Sequence, residues 1–402
     1  MFNEGKLRAA NLNKLMQILC DPQYSNTQYA GGRFGDNFID VFILTYPFFM
    51  NSMDFLDLLI KRWEFKTPGM KEAEIIKMRE RISSVLFKWV ELQFSQFIKS
   101  EEFTKRFLEF LNKSQANKSM DPKNVMILKN LIKEKTSPNS KDVVHMVPLL
   151  PSLFPRDDCQ CYIGILDIPP LEIARQLSVF EMELFDKMPF DEFIGQKWTK
   201  NNVDWTPNIL ATIKRFNKIS GWAPDLVLRW RTPEQRGFMI GKLIDIAHNC
   251  IKLNNFETVV QIVSGLENSA ISRLKQSWLK VPEKSQARLE KMRNLFSPME
   301  NWKTYRNHLA SVDPPGIPYL GLILQTLTFS DDGNPNIINN NLLNWYKMEL
   351  TVQILSEIRR FRGHPYPFTP IPEVADLLQF ENFAPRSDKK LFEDSQMVEP
   401  KV

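Results

Sequence analysis

The residues of this chain that could do chemistry most directly are two consecutive aspartates, Asp331 and Asp332, in the stretch FSDDGNPNIINNN. The chain on both sides is apolar and helix-like, so the stretch reads as a stiff, acidic break between two long helices. The chemistry open to such a pair is electrostatic, since carboxylates accept hydrogen bonds and repel other anions. Composition alone favours a solvated acidic turn.

Cysteines and histidines do not assemble into a metal or catalytic set. Cys159 and Cys161 with His145 could nominally hold zinc, but a C-x-C with no fourth ligand differs from the C-x2-C typical of structural zinc. No serine or cysteine has the context of a nucleophile elbow. The histidines lie far apart in the sequence: His145, His248, His308 and His364. The sequence therefore predicts no metal site, no cofactor and no covalent catalysis.

Phosphate binding and nucleic-acid binding are also weakly supported. The stretch GGRFGD lacks the spacing and the Lys-Ser/Thr of a P-loop, so Gly31, Gly32 and Gly35 predict a turn. The chain has 52 Lys and Arg against 47 Asp and Glu, a formal net charge of +5, and its basic residues are scattered. Because phosphate binding needs locally concentrated cations, we expect no nucleic-acid partner. The charge is compatible with mild attraction to an anionic membrane.

The sequence favours a reducing, cytoplasmic environment. Four cysteines in 402 residues do not form a disulfide framework, and the first residues lack an apolar signal core. The most apolar segment, FIDVFILTYPFFM, contains Asp40 and is shorter than the roughly 20 residues of a membrane crossing. Neither a glycine after Met1 nor a C-terminal cysteine box indicates a lipid anchor.

Helical periodicity dominates the elements that must position these residues. In RISSVLFKWVELQF, apolar residues recur at i, i+3, i+4 and i+7, which places them on one helix face: Ile82, Val85, Leu86 and Trp89. Thr232, Pro233 and Gln235 have the pattern of a capping box at the start of a helix. The apolar stripe of that helix is Ile240, Leu243, Ile244 and Ala247.

A second apolar helix follows closely and makes a helical hairpin of the core, since Asn254 and Asn255 end the first helix and Phe256 begins the next. Residues 136–160 contain Pro138, Pro148, Pro151 and Pro155 and predict a linker between two domains. Pro169 and Pro170 stand just ahead of the next helix. No alternating strand pattern or internal repeat appears, so the predicted class is all-α.

Four long blocks resemble the catalytic domain of Ras-family guanine-nucleotide exchange factors, in the family's order from about Asp167 onward. They are DIPPLEIARQLSVFEMELFDKMPFDEFIGQKWTK, LNNFETVVQIVSGLENSAISRLKQSW, WKTYRNHLASVDPPGIPYLGLILQTLTFSDDGNP and LFEDSQMVEPK. The first third resembles the N-terminal helical module that accompanies this domain, in GKLRAANLNKLMQIL, FIDVFILTYPFF and VLFKWVELQF. The resemblance implies two helical domains, with an N-terminal module at 1–135, the linker at 136–160 and a catalytic domain at 161–402.

The resemblance gives the acidic stretch a role. In this family a helical hairpin protrudes from the catalytic domain, and its tip enters the GTPase between the phosphate site and the switch region. Here the hairpin would start near 321–328, turn through 331–335 and return along NLLNWYKMELTVQILSEIRRF, ending at Gly363 and Pro365. The expected buried side of the return helix is Leu343, Tyr346, Leu350, Ile354, Ile358 and Phe361. Asp332 would compete with the phosphates, and Thr328, one turn earlier, would crowd the magnesium position.

The resemblance also implies a surface that grips the GTPase. A hydrophobic pocket for an aromatic residue of switch II matches Ile213, Val260, Trp302 and Tyr319. For Ile213 and Val260, a core position explains the residue type equally well. Lys214 matches a basic position that pairs with acidic GTPase residues.

One position of this surface departs from the family pattern. The family usually has asparagine after Gly-Leu in SGLENSAISRL, whereas this chain has Glu267 followed by Asn268. Because a carboxylate cannot donate the same hydrogen bond, either Asn268 substitutes or the activity is reduced or redirected. Arg273 matches the family.

The expected function is therefore guanine-nucleotide exchange on a Ras-like small GTPase, without covalent chemistry and with the nucleotide-free GTPase as preferred partner. Membrane association would be peripheral and would come through the anchored GTPase. The alternatives are a scaffold that binds a GTPase without exchanging its nucleotide, which Glu267 keeps open, and an α-solenoid adaptor, which would need repeats.

Overall fold

The computed structural model describes residues 2–3, 6–24, 38–66, 68–136, 164–200, 202–339, 341–378, 380 and 383–400. Its regular structure is almost entirely helical, which confirms the all-α prediction. The predicted linker beyond Thr136, the cysteine pair with His145, and the glycines of GGRFGD lie outside the described residues. Within the described ranges, no helix has both the length and the apolar character that a membrane crossing requires.

The chain forms two compact units that do not follow the order of the sequence. Unit 1 comprises the described residues within Met1–Val144, Pro189–Thr206 and Gly321–Glu357, and unit 2 those within His145–Met188, Pro207–Leu320 and Ile358–Val402. The hairpin segment thus belongs to the same unit as the N-terminal helices. The division into 1–135, 136–160 and 161–402 stays a prediction about sequence modules.

Unit 1 is built around aromatic residues of its N-terminal helices. Trp89 lies within 6.2 Å, between ring centroids, of Tyr46, Phe55, Phe103 and Phe107. The predicted stripe on the helix that carries Trp89 is fully buried, which confirms it. The N-terminal helices are α1 (Leu12–Cys20), α2 (Phe38–Thr45), α3 (Ser52–Glu64), α4 (Glu72–Leu92), α5 (Ser95–Lys99), α6 (Glu101–Ala116) and α7 (Pro122–Thr136).

Unit 2 is a helical core. Its helices outside the hairpin are α8 (Pro170–Lys187), α9 (Pro207–Leu228), α10 (Pro233–Lys252), α11 (Phe256–Glu267), α12 (Ser269–Ser272), α13 (Lys275–Leu279), α14 (Glu283–Leu295), α15 (Met299–Ser311), α18 (Pro372–Leu378) and α19 (Asp388–Val398). The central helix, α10, packs against α8, α9, α11, α13 and α14. The capping box at Thr232 and Gln235 is present, and the predicted α10 stripe is fully buried. Gly265 allows α9 and α11 to approach closely, because a Cβ there would lie 2.4 Å from the Ser220 carbonyl oxygen.

The hairpin consists of α16 (Leu320–Gly333) and α17 (Trp345–Phe361), joined by two short strands. These are β4 (Ile337–Ile338) and β5 (Leu342–Asn344), and β5 also pairs antiparallel with β3 (Ala9–Ala10), which gives the order β3-β5-β4. A separate two-stranded ribbon joins β1 (Phe2–Asn3) and β2 (Lys6–Leu7). The sequence predicted no strands, because β3 and β5 meet across more than 300 positions and each is too short for a periodic pattern.

The sequence predicted a turn from Asp331 to Pro335. The predicted start of this turn is wrong, because α16 continues through both aspartates to Gly333. Pro335 cannot extend the helix, and the Asn334 side chain donates to the Ser330 carbonyl at 2.9 Å, which satisfies one terminal acceptor. The helix tolerates Asp331 near its negative end because that carboxylate pairs with Lys347.

The predicted buried side of the return helix is wrong at its N-terminal half. Tyr346 is 43% exposed and Leu350 and Ile354 are half-buried, whereas Leu343, Ile358 and Phe361 are buried as expected. The predicted buried face was counted in helical steps from Leu343, but Leu343 lies in strand β5 and not in the helix. The observed buried line is Trp345, Met348, Val352, Leu355, Ile358 and Phe361. The helix ends as predicted, with Gly363 in the left-handed region at φ +76°.

Candidate functional site

The end of α16 presents the two hairpin residues singled out in the sequence. Thr328 is half-buried, and its hydroxyl donates to the Leu324 carbonyl at 2.9 Å. Asp332, one helical turn later, is exposed, and Phe329 between them is 66% exposed. A large aromatic side chain and a carboxylate therefore face solvent at the same end of the helix.

The two aspartates have different environments. Asp331 Oδ1 lies 2.9 Å from Lys347 Nζ, and the two side chains are only 11% and 4% exposed. Asp332 Oδ1 instead accepts a hydrogen bond from the neutral Gln196 amide at 2.8 Å. The charge of Asp331 is thus neutralised within the hairpin, whereas Asp332 keeps its negative charge where a partner can reach it.

The N-terminal helices contact the return helix within unit 1. The rings of Phe38 and Trp345 stack at 4.3 Å with 16° between their planes. The Lys347 ammonium lies 4.9 Å from the centroid of Phe48. The β3–β5 pairing adds backbone hydrogen bonds to these contacts. Because aromatic stacking and strand pairing fix orientation as well as distance, these contacts hold α17 in one position.

The four pocket residues predicted in unit 2 are all half-buried, an exposure intermediate between core and free surface. Trp302 and Tyr319 are brought together, with ring centroids 5.9 Å apart. Ile213 and Val260 lie on α9 and α11, which pack against each other. Sequence reasoning missed Phe216, one turn after Ile213, whose ring lies 6.3 Å from Tyr319. An aromatic at i+3 from a proposed pocket residue on the same helix was the available signal.

Tyr319 is fixed through its backbone and the start of α16. Its N–H donates to the Tyr305 hydroxyl at 2.8 Å, and the next N–H, of Leu320, donates to Glu257 Oε2 at 2.8 Å. Burial, with Glu181 nearby, raises the pKa of Glu257 to about 8. Burial, and then Glu257, also raises the pKa of Tyr319. Both shifts favour the protonated, uncharged forms, so the ring of Tyr319 presents an uncharged surface at neutral pH.

Trp302 is placed by an unusual backbone segment. Glu300, Asn301 and Trp302 have φ values of 50°, 57° and 60°, all in the left-handed region, at the start of α15. Non-glycine residues rarely adopt this conformation and do so mainly where surrounding contacts enforce it. Three in succession kink the chain within the first turn of α15, at the position that carries Trp302.

The position that departs from the family pattern carries an ion pair. Glu267 Oε1 accepts from Arg293 Nε of α14 at 3.0 Å, and both side chains are exposed. Asn268 is committed within the chain, because its oxygen accepts from the Ala270 N–H at 2.9 Å and its amide donates to Asp388 at 2.9 Å. Asn268 is thus the N-cap of α12. Arg293 was not singled out in the sequence, since its partner lies 26 residues away.

The two remaining predicted residues differ in environment. Arg273 Nη1 donates to the Ser395 carbonyl at 2.6 Å, and its guanidinium lies 5.8 Å from the Phe392 centroid, so it binds α19. Lys214 is exposed on α9, where it can meet a partner. Of the ten predicted residues, Thr328 and Asp332 lie in unit 1 and the other eight lie in unit 2. Their roles toward a partner stay predictions.

Comparison with protein families gives two matches, in the order expected from the sequence. Residues 172–349 match the RasGEF domain, and residues 6–110 match the RasGEF N-terminal motif. The first match contains all ten predicted residues, since it spans every position from Ile213 to Asp332.

Curated relatives agree with these matches. Ras-specific guanine nucleotide-releasing factor 1 of Mus musculus is 37% identical over 235 residues, covering 58% of this chain and 18% of the relative. Ras guanine nucleotide exchange factor P of Dictyostelium discoideum is 27% identical over 422 residues, covering 100% of this chain and 27% of the relative. Exchange factor I of the same organism is 29% identical over 405 residues, covering 98% and 47%. The chain thus spans less than half the length of these relatives.

Proposed function

This chain belongs to the RasGEF family, and we propose that it stimulates GDP release from a Ras-like small GTPase by binding the nucleotide-free form in preference to the loaded form. The observation that carries the proposal is the end of α16, where Asp332 is exposed and keeps its charge while Asp331 is neutralised by Lys347. The match of the RasGEF domain over residues 172–349 supports it.

The physical task is to weaken a very tight complex. Ras-like GTPases hold nucleotide on the picomolar scale, about −16 kcal/mol, and much of this comes from phosphate and magnesium contacts. An exchange factor must bind the nucleotide-free GTPase better than the loaded one. The coupling is reciprocal, so nucleotide also expels the factor from the complex. No bond in the nucleotide is made or broken.

Asp332 and Thr328 would act on the phosphate and magnesium sites. The Asp332 carboxylate would compete for the donors that cradle the phosphates and would repel the phosphates themselves. Thr328 would occupy space near the magnesium ion, and its hydroxyl, which donates to Leu324, is a weaker ligand than a carboxylate. Loss of magnesium would further weaken the phosphate contacts.

The surface of unit 2 around Trp302 and Tyr319 would hold the GTPase while its nucleotide site is empty. The two rings lie 5.9 Å apart and are half-buried, so they can be covered fully by an aromatic residue of switch II. Desolvated aromatic positions of this kind carry much of the energy of protein interfaces. Lys214 would pair with acidic residues of the GTPase.

The N-terminal helices would brace the hairpin. The Phe38–Trp345 stack and the β3–β5 pairing support this role, because both fix the return helix from outside the RasGEF domain. The protein would act in the cytoplasm and reach membranes through its lipid-anchored GTPase.

The test is release of a fluorescent guanine nucleotide from a panel of Ras-like GTPases. We expect residues 1–402 to accelerate release from at least one member and to form a stable complex only in the absence of nucleotide. Asp332→Ala should lose most of the acceleration, whereas Asp57→Ala, at an acidic position of α3 whose side chain is 43% exposed, should keep it. Tight binding that persists at millimolar GTP, with no acceleration for any member, would identify a GTPase-binding scaffold instead.

A separate prediction concerns Glu267, where the family uses asparagine. Glu267→Asn supplies an amide donor and removes a negative charge near acidic GTPase residues, so exchange should rise by about tenfold, which corresponds to about 1.4 kcal/mol. The rate of nucleotide release at a fixed exchange-factor concentration measures this change.

Two control variants separate the causes. Arg293→Gln keeps Glu267 but removes its cation, so exchange should fall if the uncompensated charge matters. Asn268→Ala removes the N-cap of α12 and should lower stability by about 1 kcal/mol while the folded protein still exchanges. A loss of exchange in folded Asn268→Ala, with no gain in Glu267→Asn, would contradict the assignment of position 267 to the interface.

A further inference from the structure

The segment between α8 and α9 has a backbone arrangement that points one side chain at the hairpin. Gly195 and Gln196 have φ values of +74° and +53°, both in the left-handed region, between short 3-10 turns at Phe190–Phe193 and Lys197–Lys200. Glycine adopts this conformation easily, whereas glutamine does so at a free-energy cost. The Gln196 carbonyl accepts from the backbone N–H and the hydroxyl of Thr199, at 3.1 and 2.8 Å, which holds the strained residue in place.

The Gln196 amide contacts the two residues of the proposed exchange chemistry. Its Nε2 donates to Asp332 Oδ1 at 2.8 Å and lies 3.5 Å from the carbonyl oxygen of Thr328. An amide nitrogen has two hydrogens, so it can serve both acceptors. The two contacts lie one helical turn apart, and together they fix the last turn of α16 and the direction of the Asp332 carboxylate.

The same segment is anchored to the N-terminal helices. Asp191 is buried and accepts from the Ser95 hydroxyl and from the Lys99 ammonium of α5, both at 2.6 Å. Because charge-assisted hydrogen bonds to a buried carboxylate are stronger than neutral ones, this anchor is firm. Within unit 1, α5 is therefore linked to Asp191 by hydrogen bonds, Asp191 to Gln196 through the short backbone segment between them, and Gln196 to Asp332 by a hydrogen bond.

We infer that Gln196 is a positioning residue that aims the Asp332 carboxylate and ties it to α5 without cancelling its charge. The inference rests on the proposed function. A lysine or arginine at position 196 would also donate to Asp332, but it would neutralise the charge that acts on the phosphates, as Lys347 does for Asp331. A neutral amide satisfies both requirements, orientation and retained charge.

The experiment measures nucleotide release over a range of exchange-factor concentrations. Gln196→Ala should lower the maximal release rate about tenfold or more, the size expected for losing one hydrogen bond to a charged group, with a smaller change in the half-saturating concentration. Gln196→Lys should lower it at least as much although a donor is present. Gln115→Ala, which removes an exposed amide that accepts from Lys129 in the N-terminal helices, is the matched control and should leave the rate unchanged.

A double-mutant cycle with Asp332→Ala tests whether Gln196 acts through Asp332. On that background Gln196→Ala should have almost no further effect on the release rate. Equal effects of Gln196→Ala with and without Asp332, or a Gln196→Lys variant with wild-type rate, would overturn the inference.

Hydrogen exchange on the free protein tests the contact without a GTPase. The amides of residues 329–334 should exchange about tenfold faster in Gln196→Ala, while those of α10 stay unchanged. Unchanged exchange at 329–334 would overturn the positioning role even if the release rate fell. A wild-type chain that releases nucleotide from no GTPase would overturn the proposed function, and the hydrogen-exchange result would still report separately on the contact.

Discussion

Tyr319→Ala and Trp302→Ala are each expected to weaken binding of the nucleotide-free GTPase by about 30-fold or more, which corresponds to about 2 kcal/mol per anchor residue. Both rings are half-buried in the free protein, and their centroids lie 5.9 Å apart. They therefore leave an accessible face for an incoming aromatic side chain. Truncation to alanine removes that face and leaves a hole that water fills.

Folding should survive these substitutions. The contacts that fix the Tyr319 segment come from its own backbone N–H to Tyr305 and from the Leu320 N–H to Glu257, and alanine keeps both. The midpoint of thermal unfolding should therefore change by only a few degrees, as expected for a loss of about 1 kcal/mol or less.

Affinity for the nucleotide-free GTPase, measured by titration after nucleotide removal, checks the first part, and circular dichroism with a thermal scan checks the second. Phe65→Ala, at an exposed aromatic of unit 1, is the control and should bind like wild type. A collapse of folding in Tyr319→Ala or Trp302→Ala would assign that residue to the core. Unchanged affinity in a folded variant would remove it from the interface.

Local features of the fold could be predicted because their causes lie within a few residues. The capping box at Thr232 and Gln235 spans one helical turn, and the stripes on α4 and α10 follow the helical period. The strands could not be predicted in this way, because each has only two or three residues, and β5 pairs with the distant Ala9 and Ala10 as well as with β4. The buried face of the return helix was predicted wrongly for a related reason, because it was counted from Leu343, which belongs to β5.

The candidate site divides in a similar way. The resemblance supplied Thr328, Asp332, Trp302 and Tyr319, but sequence alone could not explain why the second aspartate of the pair, and not the first, is the exposed one. That difference depends on Lys347, which lies 16 residues from Asp331, and on Gln196, which lies 136 residues from Asp332. Contacts at such separations are set by tertiary packing.

Removing one partner of the Asp331–Lys347 pair should therefore destabilise unit 1 strongly, although the pair is not one of the residues proposed to act on the nucleotide site. Lys347→Met is expected to destabilise the hairpin by about 3 kcal/mol, since removing one partner of a buried pair leaves the other charge uncompensated. The residual Asp331 carboxylate would also face the negative end of α16.

Asp331→Asn should cost less than Lys347→Met. The asparagine oxygen can still accept from Lys347, and the ammonium keeps the ring of Phe48 at 4.9 Å. Lys303→Met, at a pair with Glu300 whose side chains are 62% and 68% exposed, should cost well under 1 kcal/mol. This ordering distinguishes a buried pair from a surface one.

Denaturant unfolding gives the free energies, and hydrogen exchange at residues 321–357 shows whether the loss is confined to the hairpin. If the Asp331–Lys347 pair stabilises the hairpin, Lys347→Met should also lower the nucleotide release rate, although Asp332 and Gln196 are intact. The reason is that the last turn of α16 would unfold locally more often. Replacing both residues, Asp331→Leu with Lys347→Met, should recover part of the stability, since an apolar contact has no unpaired charge to bury. Equal and small losses for Lys347→Met and Lys303→Met would mean that Asp331 reaches solvent in solution, and the distinction between the two aspartates would then fail.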